Sequence, residues 1–232
     1  MTSANCAQCN QDQKICSAGG SKGGEGCPTI LQADVISSAK EQYFRPEVYD
    51  FNLNSLRQVV AGYICDDEGR LTPTLDRLHE TIGFAKRMGY HKLGLAYCKA
   101  LQKQANELSS ILQDNGFTVV SVVCKVGGIE KTEVGLKPEE TIVPFRHEIM
   151  CNPIGQAYLL NAAGTELNIL LGLCVGHDAM FLKNSNAYCT VFAVKDRVYQ
   201  HNSLAGLEAE TEKNAQQIHS SQSAAVNVSD HA

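Results

Sequence analysis

Three short apolar runs, each closing on a cysteine, constrain what this chain can fold into more than any other feature. They are Lys92–Cys98, Phe117–Cys124 and Leu167–Cys174, and a fourth run, Cys189–Val194, follows them. Runs that are apolar throughout, yet too short for buried helices, read as strands covered on both faces. The segments between them read as helices: Ala100–Gln113, closed by Asn115-Gly116, and a stretch opening at Asn152-Pro153, running to about Asn161 and stopping near Gly164. Strands alternating with helices predict an α/β fold, a mostly parallel, Rossmann-like sheet of about four strands flanked by helices.

Upstream, residues 31–91 read as mostly helical. Thr72 can cap a helix whose first residue is Pro73; Leu75, Leu78, Ile82 and Ala85 recur at helical spacing, and Gly89 ends the pattern. Residues 126–147 read as a long loop punctuated by Gly127-Gly128, Pro138 and Pro144, the kind of segment that forms a lid or a binding element. The chain thus divides into a Cys-rich segment, 1–30, an α/β domain, 31–207, and a polar tail, 208–232, whose composition predicts disorder.

Ten cysteines in 232 residues need a chemical reason. Met1 to Asn10 has neither the charged start nor the apolar core of a signal peptide. The longest apolar run, Ile169 to Val175, is too short to span a bilayer and is interrupted by Gly172. The expected setting is the reducing cytoplasm, where grouped cysteines mean metal or redox chemistry rather than a disulfide framework. A formal net charge of -5 argues against nucleic acid as a partner, and no feature suggests a membrane. The expected partner is a small-molecule substrate or a redox partner protein.

Residues 1–30 are almost empty of large apolar side chains, so a metal would have to organise them. Cys6, Cys9, Cys16 and Cys27 form the pattern C-x2-C-x6-C-x10-C, a closed set of four thiolates that suits tetrahedral zinc or an iron–sulfur cluster equally. The Gly-rich stretch between Cys16 and Cys27 is a linker and not a phosphate loop, because Lys22 follows Ser21 rather than glycine and no strand precedes it.

A second constellation follows from the fold. Ligands bind parallel α/β sheets beyond the carboxyl ends of the strands. Cys98, Cys124 and Cys174 close three strands there, and Cys151 immediately precedes the Asn152-Pro153 helix start, where free backbone N–H groups favour a thiolate. Together these four can hold one iron–sulfur cluster of the 4Fe–4S type, or three can hold it and leave one iron open to substrate. The competing reading is four buried packing cysteines. His177 and Asp178 follow Cys174 and are the candidate catalytic pair; His177 can equally be a ligand or a polar residue at a helix entry. Lys125, Lys195 and Asp196 lie at strand ends and can face the same crevice, whereas Cys65 and Cys189 read as packing residues. His147 and Glu148 precede Cys151 as H-E-x-x-C, which lacks the second histidine of a zinc protease.

Gly83–Tyr90 (GFAKRMGY), MCNPIGQA around Cys151, GLCVGHDAMF around Cys174 and VKDRV beginning at Val194 are distinctive as a set. Over most of residues 6–202 the chain resembles a family catalogued as domain of unknown function 1847, found in anaerobic bacteria and archaea. The resemblance implies metal binding, with zinc and iron–sulfur both open, and an N-terminal cysteine group matched here by Cys6, Cys9, Cys16 and Cys27. It implies no particular reaction. The leading expectation is an iron–sulfur protein whose crevice performs redox or Lewis-acid chemistry on a small molecule. The alternatives are a zinc-stabilised, non-catalytic binding or regulatory module, and a thiol enzyme using a crevice cysteine, such as Cys174 with His177, as nucleophile.

Overall fold

A computed structural model of the chain describes residues 4–213, which divide into two compact units between Thr74 and Leu75. The first unit opens with the cysteine-rich segment, folded around a short 3-10 turn at Cys6–Gln8 and around backbone hydrogen bonds from Ile15 to Lys22 (2.8 Å) and from Lys22 to Gln13 (2.9 Å). Helices α1 (Pro28–Leu31), α2 (Ala33–Gln42) and α3 (Pro46–Ala61) follow. Pro28 and Pro46 each occupy a first helical turn, where a missing N–H costs nothing. The unit closes in a hairpin, β1 (Tyr63–Cys65) paired antiparallel with β2 (Leu71–Pro73). Asp66 shapes its turn by accepting from the Glu68 and Arg70 amides at 3.1 and 2.8 Å.

The hairpin corrects the reading of residues 31–91 as mostly helical. Thr72 and Pro73 belong to a strand, and the helix expected to start at Pro73 instead spans Arg77–Arg87 (α4). Asp76 sets that start, because its carboxylate accepts from the His79 amide at 2.9 Å, a stronger cap than the threonine offered. The other end is as expected, with Gly89 in the left-handed region at φ +69°. Cys65 is exposed on β1 rather than packed, its thiol donating to its neighbour Asp66.

The second unit continues through β3 (Lys92–Tyr97), α5 (Gln102–Asp114), β4 (Thr118–Val123), α6 (Pro153–Ala162), β5 (Leu167–Leu173), α7 (His177–Asn184) and β6 (Tyr188–Val194). All pairings among β3, β4, β5 and β6 are parallel, in the order β4-β3-β5-β6. The fold is therefore the α/β architecture expected, a four-stranded parallel sheet flanked by helices. From β3 the chain winds outward to β4, then crosses back to β5 and β6. The winding reverses between β3 and β5, and such a reversal opens a crevice beyond the strands' carboxyl ends.

Side-chain alternation splits the core into two layers. Leu93, Leu95, Leu167 and Ile169 pack with Leu108 and Leu112 of α5 on one face. Ala96, Leu170 and Leu173 pack with Ala157 and Leu160 of α6 and Phe181 of α7 on the other. Each fully buried Leu or Ile contributes roughly 1.5–3 kcal/mol relative to an exposed one. Asn168, wholly buried within the sheet, accepts from Thr165 and donates to Ser185, both at 2.8 Å. Its partner across the sheet is Gly94, where a Cβ would lie 1.9 Å from the Asn168 oxygen. Residues 203–213 are helical, so helix crosses the 207/208 boundary at which the composition turns; the rest of the expected tail, 214–232, lies outside the described residues.

Candidate functional site

The ends of the strands assemble the site through their backbones. Cys98 follows β3, and its amide donates to Leu171 of β5 at 3.0 Å. Cys124 follows β4, and its amide donates to Tyr97 at 2.8 Å. Asn152 donates to the Cys124 carbonyl at 2.7 Å, which draws Cys151 to the same edge. Asn152 also caps α6, its side chain accepting from Gly155 at 2.8 Å. Below them Gln156, wholly buried on α6, donates to the carbonyls of Tyr97 (3.3 Å) and Val122 (2.7 Å), tying that helix to the ends of β3 and β4.

The fourth cysteine depends on an irregularity. The β5–β6 register shifts between Leu171 and Leu173, and Gly172 there has φ +67°. That φ favours glycine, and a Cβ there would also push aside Leu101 Cδ1, 2.3 Å away; the bend re-aims the strand end carrying Cys174. Lys195 continues the pairing, its amide donating to Leu173 at 3.0 Å.

Cys98, Cys124, Cys151 and Cys174 line one cavity of about 520 Å³. Cys98 and Cys124 are buried, and Cys151 and Cys174 are half-buried. The same cavity is lined by Lys99, Lys125, Lys195 and Arg197. Lys125 and Lys195 are positions the strand ends indicated. Lys99 and Arg197 escaped that reading, although the repeated dipeptides Cys98-Lys99 and Cys124-Lys125 were a signal for the first. Asp196 takes no part in the lining; its carboxylate accepts from the Val198 and Tyr199 amides of its own turn at 2.9 and 2.8 Å.

The sulfurs are not equivalent. The Cys124 thiol donates a hydrogen bond to Cys151, and this bond, aided by the Lys125 and His177 charges and opposed by burial, holds the Cys151 thiol down at about 5. The same bond, with burial, pushes the Cys124 thiol well above the ordinary thiol range. The two thiols therefore titrate as a pair, with Cys151 the more acidic member. The Lys99 amide donates to the Cys124 sulfur at 3.3 Å, and the Arg197 guanidinium donates to Cys174 at 3.2 Å. Such N–H donors stabilise thiolates and tune metal-bound sulfur.

His177 opens α7, and its Nδ1 is buried without a hydrogen-bond partner among the described residues. Asp178 accepts from the Ala179 amide at 2.7 Å. Neither lines the cavity, but His177 acts on Cys151 through its charge. Cys189 is half-buried on β6, its thiol donating to Ala187 at 3.4 Å while burial pushes its pKa up. His147 and Glu148 are engaged outside the cavity, with Glu130 and Lys131 respectively.

In the first unit Cys6, Cys9, Cys16 and Cys27 line a cavity of about 440 Å³. The Cys9 amide donates to Cys6 at 3.2 Å, closing the C-x2-C turn, and Cys27 sits before Pro28 at the start of α1. Gly23 keeps the interior open: a Cβ there would lie 2.4 Å from Ile30 Cδ1 and 3.0 Å from the Cys27 sulfur. As the side chains stand, no three His, Cys, Asp or Glu groups among the described residues are gathered closely enough to hold a metal ion. The donor chemistry in the crevice nonetheless suits a thiolate-bound centre: four thiols in one cavity, the pKa of one of them lowered, and N–H groups directed at two sulfurs.

Fold and site together define a doubly wound α/β protein with a cysteine-lined, cation-rimmed crevice at its switch point. The chain belongs to the family described as protein of unknown function DUF1847, whose profile matches residues 27–192. That span includes the four crevice cysteines and Cys27, and begins after Cys6, Cys9 and Cys16. An uncharacterized protein of Methanocaldococcus jannaschii is 41% identical over 202 residues, covering 87% of this chain and 92% of its own. No solved structure matches the chain. Among the described residues, no helix is long and apolar enough to cross a membrane.

Proposed function

We propose that this chain is a cysteine-ligated metal-binding protein whose crevice holds an iron–sulfur cluster, of the 4Fe–4S type, through Cys98, Cys124, Cys151 and Cys174. One observation carries the reading: four cysteines from four separate segments line a single cavity at the switch point of a parallel sheet. Four thiols on one cavity match the ligand set of a four-iron cluster, in which each iron takes one cysteine.

A cluster bound there supplies a redox centre or, with one iron left open, a Lewis acid for a small molecule. The chain's own groups do the rest. Cys151, its thiol pKa lowered, gives up its proton readily to become a ligand, and Lys99 and Arg197 direct N–H groups at the sulfurs. His177, with its unpartnered ring nitrogen, is the proton carrier at the crevice edge. In the first unit Cys6, Cys9, Cys16 and Cys27 hold a second centre, zinc or iron–sulfur, that organises a segment with no apolar core. Thiolates of this kind persist in a reducing compartment, in keeping with a cytoplasmic protein.

A specific observation favours a second reading, in which the crevice is a metal-free thiol catalyst. Cys151, its pKa lowered by the Cys124 thiol beside it, has the form of an activated nucleophile, which would move the role from Cys174 to Cys151. Anaerobic purification followed by visible spectroscopy and iodoacetamide mapping separates the two. A brown protein whose crevice cysteines resist alkylation until iron is removed supports the cluster. A colourless protein in which Cys151 reacts at once supports the thiol catalyst.

A further inference from the structure

The crevice carries more positive charge than its sulfurs require. Lys99, Lys125, Lys195 and Arg197 line it, and no carboxylate among the described residues does, in a chain whose formal net charge is -5. Two of the four cations are committed to the site itself. Arg197 donates to Cys174 at 3.2 Å, and Lys125 donates to the Ile149 carbonyl and to Cys151. The ammonium groups of Lys99 and Lys195 have neither an ion pair nor a hydrogen bond among the described residues. The one acidic residue between Lys195 and Arg197, Asp196, is turned to its own backbone by the bonds it accepts from Val198 and Tyr199.

Lys99 and Lys195 also come from opposite sides of the crevice floor. Lys99 follows β3 and Lys195 follows β6, with β5 between those strands in the sheet. Two unpaired ammonium groups flanking a cavity of about 520 Å³ form a clamp for a small anion. Cation-lined concavities concentrate anions and hold them by charge-assisted hydrogen bonds.

We infer that the crevice takes a small oxyanion, a carboxylate or a phosphate, held between the Lys99 and Lys195 ammonium groups over the cysteine set. The inference rests on reading the crevice as a small-molecule site, and it does not depend on which metal, if any, the cysteines hold.

The test is calorimetric titration of the full chain, as purified, at fixed ionic strength. The probes are inorganic phosphate, succinate and neutral succinamide. One of the two anions binds and succinamide does not; the tighter anion distinguishes phosphate from carboxylate. Lys99→Gln and Lys195→Gln each weaken that binding roughly tenfold or more, the loss expected for a charge-assisted contact. Lys40→Gln, in α2 of the other unit, leaves it unchanged. The two crevice variants lie on separate segments, so misfolding of one, seen by circular dichroism, leaves the other to decide. Anions that bind no better than succinamide, or crevice variants that bind as the unaltered chain does, overturn the inference. Iron and sulfide are measured on the same samples. Anion binding without iron removes the cluster and keeps the oxyanion site, and iron without anion binding does the reverse.

Discussion

Cys151 and Cys124 shift in opposite directions: their shared hydrogen bond lowers Cys151 and raises Cys124, burial raises both, and Lys125 and His177 lower Cys151 further. In the metal-free chain this sets an order of reactivity. A thiol held at about 5 is nucleophilic above that pH and loses its reactivity as the pH falls through it. Iodoacetamide should therefore label Cys151 first, with a half-maximal rate near pH 5, while Cys124 stays unlabelled at neutral pH. Cys124→Ala removes the donor and should move the Cys151 profile upward, toward the ordinary thiol value of about 8.5. An unchanged profile in that variant means the hydrogen bond is not what lowers it. The positions of these cysteines were legible in the sequence because each closes an apolar run or precedes Asn-Pro. Their pairing was not, since it depends on the Asn152 amide finding the Cys124 carbonyl across the strand ends. Arg197 was likewise hidden, three residues beyond a strand, in a turn whose direction Asp196 sets.

Elements place these residues, and two glycine positions test that. Gly172 gives β5 the bend before Cys174, and Gly172→Ala combines a positive φ with a Cβ 2.3 Å from Leu101. Strain of this kind costs about 1–3 kcal/mol, so urea unfolding should report at least that loss, with reduced retention of metal in the crevice. Full stability in Gly172→Ala would show that the bend relaxes freely. In the first unit, Gly23→Ala puts a methyl group 3.0 Å from the Cys27 sulfur and should lower metal content there without moving the melting of the second unit. The four strands of the sheet were readable because an apolar run covered on both faces has few other interpretations. The hairpin was not. Its strands, Tyr63–Cys65 and Leu71–Pro73, are three residues each and exposed, so no alternation marks them, and Thr72-Pro73 imitates a helix start. Asp76 decides the matter through one hydrogen bond to His79.

At the scale of the whole molecule, the two cysteine groups lie in different units, one lining a cavity in residues up to Thr74 and one at the edge of the sheet in the residues beyond. Each group should therefore load independently. Cys6→Ser with Cys9→Ser should release the N-terminal metal and open residues 4–30 to protease, leaving the crevice's content intact; coupled loss of both centres would contradict that separation. The α/β architecture and the two cysteine sets could be read from the chain because strand ends and local spacing are written in contiguous residues. The cationic lining was legible only in part: Lys125 and Lys195 stand at strand ends, but Lys99 and Arg197 join them through turns that the local sequence does not direct. The central claim, one cluster held by four distant cysteines, is tested most directly by iron and acid-labile sulfide analysis of anaerobically purified protein in which Cys6, Cys9, Cys16 and Cys27 are all serine. The account predicts roughly four irons and four sulfides per chain, the content of a 4Fe–4S cluster, falling sharply when Cys98, Cys124, Cys151 or Cys174 is also replaced. Protein without iron and sulfide, or with a content indifferent to those four replacements, would contradict it.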